Sequence, residues 1–392
     1  MNKANSKSAG KAGASAPVSD EALADRMVEL ALDLRESDVY AALPDALQKT
    51  RADLRKTIKK CLQQKREPAF REALMRAYEE DAGVYFVLRE NVEEMSGSAL
   101  FRDDTGPEME VNAFVVPLFV HTTGGLSMEQ CFRDEAAFEQ LRESFRDHGL
   151  ESARASVVLV SHAYHLDEIE RIGYCQLSEM MHEAHDAMTR KKTVAADAIA
   201  RSMSGWPPAH FAPGDSAMEL RFLLGFAMKT MDDPFYHVPE KEAAADRYFE
   251  ARAERFRKWS QQVKPLLQRC LVTDGREVQI DFLYQDLFHG GKAAAERELD
   301  MLGLLSEVQR MLAEHGIAAE AARAAIVPAD EDESTLRITL QAAATGATIG
   351  SVEMPFDPTD TVDGAIADLA DGLISIGFQD AAISFRSQDI KP

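Results

Sequence analysis

Cysteine is scarce. The four residues Cys61, Cys131, Cys175 and Cys270 lie far apart in 392, and none forms a CxxC pair. That spacing excludes a zinc ribbon; in a cytoplasmic chain the four read as reduced, mostly buried small hydrophobes. Long apolar runs are missing too. The longest, "AFVVPLFV" (113–120) and "LLGFAM" (223–228), fall well short of the ~20 residues a membrane span needs. The opening "MNKANSKSAGKAGASAPVSD" has no apolar core of a secretory signal, so a cytoplasmic location is expected. Positive charge is in deficit: 44 Lys and Arg against 66 Asp and Glu give a formal net charge of −22. Such a chain repels nucleic acid and anionic lipid except where basic residues gather. No GxSxG elbow, GxxxxGK[ST] phosphate loop, GxGxxG fingerprint or kinase motif is present.

What is present is globular: 45% hydrophobic residues over a length that suits two or three domains. Residues 1–18 read as a flexible, slightly basic tail. Residues 19–100 read as helical, with Leu23, Met27, Ala31 and Leu34 on one stripe and Pro44 and Pro68 as punctuation. A polar linker, "SGSALFRDDTGPE" (96–108), follows. The expected fold is α/β. A first strand–helix–strand–helix unit spans 108–204 and a second spans 205–328, with a ββαβ element at 334–388. "EVNAFVVPLFV" (110–120) is apolar at nearly every position, as a strand covered on both faces must be. A long helix at about 240–264 is expected to end at Pro265. The repetition is one of pattern, with little residue identity between the halves.

Basic residues gather once. "RADLRKTIKKCLQQKR" carries Arg51, Arg55, Lys56, Lys59, Lys60, Lys65 and Arg66 against one acid, Asp53. Leu54, Ile58 and Cys61/Leu62 have helical spacing, so the charges take the other faces. A solvated helix face explains this; an arm for nucleic acid or an acidic partner is the sharper reading, without the interleaved aromatics such arms carry.

Four histidines cluster in "SHAYHLDEIERIGYCQLSEMMHEAHDAM" (161–188). Phasing a helix over 174–190 puts Leu177, Met180, Met181, Ala184 and Met188 on a core stripe and His182 and His185 on a polar strip beside it. Imidazoles at i, i+3 with carboxylates nearby suit zinc, iron or manganese. The spacing is HExH, though, and a zincin helix needs HExxH. A metal site would also require His162 or His165 to fold back from the preceding strand. The plain alternative is the wet side of a helix, with no cofactor.

Two turns resemble each other. "FVHTTGGLS" (119–127) and "LFHGGKA" (287–293) each place a histidine at a strand end, then Gly-Gly, then a helix start. Glycine permits close backbone approach, and a helix N-terminus favours an anion. His121, Gly124, Gly125, His289, Gly290, Gly291 and Lys292 are therefore candidates for binding a phosphate or carboxylate; tight turns alone are the ordinary explanation. "MDDPFYHVPE" (231–240) is a further loop with Asp232, Asp233 and His237.

"VNAFVVPLFVHTTGG" and "GWPPAHFAPGDSAMELRFLLGFAMKTMDDPF" resemble an uncharacterised proteobacterial family, a domain of unknown function. The resemblance implies a bacterial, cytoplasmic protein that is one evolutionary unit, and it carries over no functional residue. Three functions remain in view. The first is a non-catalytic ligand-binding or regulatory protein acting through a protein partner or small anionic ligand, with homo-oligomer formation open. The second is a metal-dependent hydrolase using His162, His165, His182 and His185. The third is a nucleic-acid-associated factor working through the basic helix.

Overall fold

The computed structural model describes residues 18–35, 44–102, 107–122, 134–189, 217–271, 278–329, 335–355 and 361–385. No helix among them is long and apolar enough to cross a membrane. The chain divides into two compact units, 1–92 and 93–392. In the first, α1 (Asp20–Leu32) is capped by Ser19, whose side chain accepts from the Ala22 amide. Its stripe of Leu23, Met27 and Ala31 is buried, as is Leu34. α1 packs on α2 (Asp45–Gln63) and α3 (Glu67–Glu80). Pro44 caps α2 and Pro68 sits in the first turn of α3, where the missing N–H costs nothing. Helix α4 (Ala82–Gly97) follows.

The second unit holds two sheets. The first is wholly antiparallel and centres on β2 (Met109–Thr122) and β4 (Ala217–Thr230), paired from Met109↔Thr230 to Thr122↔Ala217. β3 (Ser156–His165) pairs with β4. Along the other edge of β2 lie β1 (Ser98–Phe101), β6 (Asp286–Leu287) and β5 (Gln279–Phe282), end to end. The order strand–helix–strand occurs twice: β2, α5 (Glu135–Asp147), β3; then β4, α8 (Glu242–Leu271), β5/β6. In each, the two strands run parallel but are split by the first strand of the other, the split βαβ topology.

Alternate residues of β2 feed two cores. Phe114, Val116, Leu118 and Val120 face α5 and α8, whose Phe138, Leu141, Phe145, Trp259 and Val263 complete that layer. Val111, Ala113, Val115 and Phe119 face α7 (Tyr174–Thr189) and α9 (Phe288–Glu314). Both faces are covered, as the unbroken apolar run predicts. Pro117 stands mid-strand without breaking it. Its carbonyl accepts from Leu283 on the β5/β6 side, so its absent N–H faces the irregular stretch between β5 and β6 and no bond to β4 is lost.

Three expectations need correction. Ser98–Phe101, read as linker, is a strand. Helix α8 runs through Pro265 to Leu271, because Leu267, Cys270 and Leu271 are buried beyond it and their packing outweighs one lost hydrogen bond. The C-terminal ββαβ element is present as β8 (Thr335–Ala342), β9 (Thr348–Pro355), α10 (Val362–Ser375) and β10 (Ile383–Phe385), but its sheet has order β10-β7-β8-β9. The added β7 (Ala322–Pro328) comes from the alanine-rich end of the second unit. Helix α9 serves both sheets; its second half packs Leu304, Val308 and Leu312 on the smaller one.

Candidate functional site

The sequence-predicted residues separate into distinct structural roles. His289 is not at a turn but inside α9, where its Nε2 meets Ser96 Oγ at 3.0 Å and its ring lies by Tyr174. A Cβ on Gly291 would come within 2.5 Å of a Val115 methyl, and one on Gly290 within 2.7 Å of Asp286 Oδ2. These glycines let a helix rest on the sheet and on the β6 carboxylate; that is close packing, not ligand approach. Lys292 pairs with Glu296 at 3.3 Å. His121, near the far end of β2, pairs with Asp281 at 3.3 Å. β2 thus keeps His121 and His289 apart, since Ser96 precedes the strand that pairs with the opposite end of β2. Gly124 and Gly125 lie outside the described residues.

The four clustered histidines also part company. His185 stacks face to face on Phe101 of β1, centroids 3.8 Å apart, and His182 meets the same ring edge-on. "HEAHD" therefore anchors a short edge strand and is more than the wet side of a helix. His162 bonds Glu168 Oε2 at 3.0 Å, and the same oxygen accepts from the His165 amide at 2.9 Å. His165 Nδ1 in turn accepts from the Asp167 amide, starting the short helix α6 (Leu166–Ile169). Among the described residues no three His, Cys, Asp or Glu side chains are grouped to hold a metal ion.

Glu168 faces Arg221, which is fully buried and bonds Glu219 at 2.9 Å. Burial holds His165 below the ordinary histidine value, with help from the Arg221 charge. Burial alone would raise Glu168, but hydrogen bonds from His162 and the His165 amide outweigh it and hold the carboxyl below its ordinary value. Both shifts act on stability in one direction. As pH falls, the unfolded chain takes a proton at His165 before the folded one does. This stability is therefore complete above 6.5, the ordinary histidine value, and is lost on acidification through the lower folded value. The Glu168 contribution follows at lower pH. Melting temperature is expected to drop from about pH 7.5 to about pH 5, and less steeply in His165→Asn, which keeps a helix-capping side chain. Equal slopes for the two proteins would contradict the assignment.

On the basic helix, Lys56, Lys59 and Lys60 are exposed at i, i+3, i+4, whereas Arg66 pairs with Asp20 at 3.1 Å. Arg51, Arg55 and Lys65 lie along the same helix and its end, Arg51 and Arg55 half-buried. Cys61 is buried on the apolar stripe. Burial, outweighing the Arg66 and Lys60 charges, pushes its thiol up to about 11 and leaves it unreactive.

A concave site lies elsewhere, on the α5/α8 face where β2 begins and β4 ends. It is a cavity of about 310 Å³. Its floor is Asn112 and Phe114 of β2 and Ala227 and Lys229 of β4; Tyr248, Phe249 and Arg252 of α8 form one wall. The break between β5 and β6 supplies Tyr284 and Gln285, and the loop after β4 supplies Tyr236 and Val238. Spacing explains the α8 wall. Phe249 is in phase with Phe256, Trp259 and Val263, but the core stops a turn short of it and leaves it 55% exposed at the rim.

A hydrogen-bond network fixes the inner wall. Tyr236 Oη donates to Glu151 Oε2 at 2.7 Å and accepts from the Ser152 amide at 3.1 Å. Gln285 Nε2 donates to the other Glu151 oxygen at 3.2 Å. Ser152 Oγ donates to buried Asp233 at 2.6 Å, and this bond, with one from the Phe235 amide, holds the Asp233 carboxyl below its ordinary value. Burial and the Glu151 carboxylate raise the Tyr236 phenol, which stays protonated. Lys229 pairs with Glu110 at 3.2 Å and sits 4.5 Å from the centre of the Tyr236 ring. With its amide turned to suit its neighbours, Asn112 accepts from Lys229 at 2.7 Å.

Arg252 differs. Its Nε donates to Tyr284 Oη at 3.2 Å and one terminal nitrogen to Tyr248 Oη at 3.4 Å. No carboxylate among the described residues stands within ion-pair distance of it. At the other end of the same sheet face, by contrast, Arg221 and Glu219 neutralise each other.

None of the histidines and glycines picked out in the sequence lines this cavity. The loop "MDDPFYHVPE" does contribute, but through Tyr236 and Val238; Asp233 caps the turn and ties it to Ser152. Three of the chain's eight tyrosines converge here from 236, 248 and 284, and no local motif joins those positions.

The chain matches no curated protein and no solved structure. One family, described as a protein of unknown function (DUF2863), matches residues 15–350, which includes the helical first unit as well as the main sheet. Covering most of the sequence, that match makes the chain a member of the DUF2863 family.

Proposed function

We propose that the protein is a non-catalytic ligand-binding protein of bacterial cytoplasm, with a regulatory role, whose small anionic ligand sits in the cavity between α8 and the β5/β6 break. One observation carries this reading: Arg252 is held to the cavity wall by two tyrosine hydroxyls and has no carboxylate partner among the described residues. In a chain of net charge −22 an arginine left without an acid is a place for an anion from outside. The cavity volume falls at the lower end of small-molecule sites, roughly 300–1,000 Å³. The lining holds no histidine, cysteine or serine, although Glu151, Asp286 and Lys229 are residue types that can also serve in acid–base chemistry. The reading needs no metal or cofactor.

A thermal-shift screen of small carboxylates and phosphates tests it. At least one is expected to raise the melting temperature of the wild type and not of Arg252→Ala. Equal shifts in both proteins would remove the cavity from the account, and turnover of any bound compound would contradict the non-catalytic part.

A further inference from the structure

The cavity wall has a second unmatched charge, of opposite sign. Glu151 is buried, and both its oxygens accept hydrogen bonds, from Tyr236 and from Gln285. Neither donor is a cation, and no lysine, arginine or histidine among the described residues pairs with it. Of the other charges lining the cavity, Lys229 pairs with Glu110 at 3.2 Å, while Asp286, exposed at the rim, accepts from the Leu287 amide and has no ion-pair partner among the described residues. A buried charge is costly; hydrogen bonds offset part of the cost, and an opposite charge brought to it offsets more. One cavity offering a guanidinium and a carboxylate that are hydrogen-bonded but in no ion pair among the described residues is complementary to a molecule that carries both signs.

The remainder of the wall is rich in rings. Five of its residues are aromatic, Phe114, Tyr236, Tyr248, Phe249 and Tyr284, in a chain only 7% aromatic. Such rings take another ring by stacking or by edge contact. Tyr284 Oη accepts from Arg252 and keeps its own proton for a further acceptor beside the guanidinium.

Resting on the ligand-binding reading above, we propose that the ligand is a zwitterion with an aromatic body, of the kind of an aromatic α-amino acid. Its carboxylate pairs with Arg252, its ammonium with Glu151, and its ring lies among the tyrosines and phenylalanines. The cavity volume suits a molecule of that size and excludes a dinucleotide or a folded peptide.

Matched probes separate the charges without altering the protein. L-phenylalanine, 3-phenylpropanoate and 2-phenylethylamine share a ring and differ only in which charge they keep; L-tryptophan, indole-3-propanoate and tryptamine repeat the comparison with a larger ring. By calorimetry on the full chain, the zwitterion of at least one set is expected to bind about tenfold or more tightly than either single-charge analogue. Glu151→Gln, which preserves the shape of the wall, is expected to erase the advantage over the propanoate, and Arg252→Gln the advantage over the amine. If a propanoate binds as tightly as its amino acid, the zwitterion is wrong and the anion site stands. If no probe of either set binds, the zwitterion is wrong, and the screen of small anions decides separately whether the cavity binds anything. A Glu151→Gln chain that fails to fold leaves the wild-type comparison decisive.

Discussion

Gly225→Ala is expected to destabilise the protein by about 1–3 kcal/mol, and Gly225→Val by more. Gly225 faces Phe114 across the β2–β4 pair. A Cβ there would stand 2.3 Å from the Phe114 ring and 2.8 Å from a Leu159 methyl, so the ring has to move. Phe145 stands on one side of that ring, centroids 5.2 Å apart, and the cavity opens on another. The ring's way out is into the cavity. The same change that strains the core is therefore expected to close the site. Denaturant midpoints measure the first effect, and loss of the ligand-induced thermal shift the second. Shortening the ring in Gly225→Ala/Phe114→Leu should recover part of the stability lost, since the two residues share one contact. A Gly225→Ala protein as stable as wild type would contradict the packing described.

Trp259→Ala is expected to cost about 3–5 kcal/mol. Trp259 has no exposed surface, lies 5.0 Å from Phe145 and 5.4 Å from Phe256 by ring centroids, and donates from Nε1 to Ser144 Oγ at 2.8 Å. It joins α8 to α5, and α8 carries Tyr248, Phe249 and Arg252 into the cavity. A fall of several degrees in melting temperature is the expected reading. Trp259→Phe should cost less, as it keeps a ring and gives up only the bond to Ser144. A neutral Trp259→Ala would mean that α8 is held by something other than this core.

Elements whose apolar pattern was long or strictly periodic were legible in the sequence. β2 could be read because both of its faces are buried, which makes the run continuous. α7 was readable because Leu177, Met180, Met181 and Ala184 repeat with the helical period. β7 was hidden by composition: Ala322, Ala324 and Ile326 alternate into the core as a strand should, but alanine favours helix. β1 is four residues in a serine- and glycine-bearing stretch, and its place is set by Phe101 stacking on His185, a contact between residues 84 positions apart. Pro265 was misleading because a local rule yielded to the burial of Leu267 and Leu271.

The cavity was the least legible part. Its walls come from six separate segments between Asn112 and Leu287, and none carries a spacing that marks a ligand. His165, His182, His185, Gly290 and Gly291 had recognisable local chemistry, yet the fold uses them for a cap, stacks and close helix–sheet contact. What marks the cavity is that Arg252 and Glu151 have no ion-pair partner among the described residues, and that lack is invisible until distant residues are placed.

The central claim is that ligands enter this cavity, and fluorine NMR on protein labelled with 3-fluorotyrosine tests it most directly. The chain has eight tyrosines, and single Tyr→Phe changes assign their signals. When a compound that stabilises the protein is added, the signals of Tyr236, Tyr248 and Tyr284 are expected to move and the others to stay. Shifts confined to Tyr164, whose ring lies beside His162, and Tyr174, whose ring lies beside His289, would contradict the claim and return the site to the histidines.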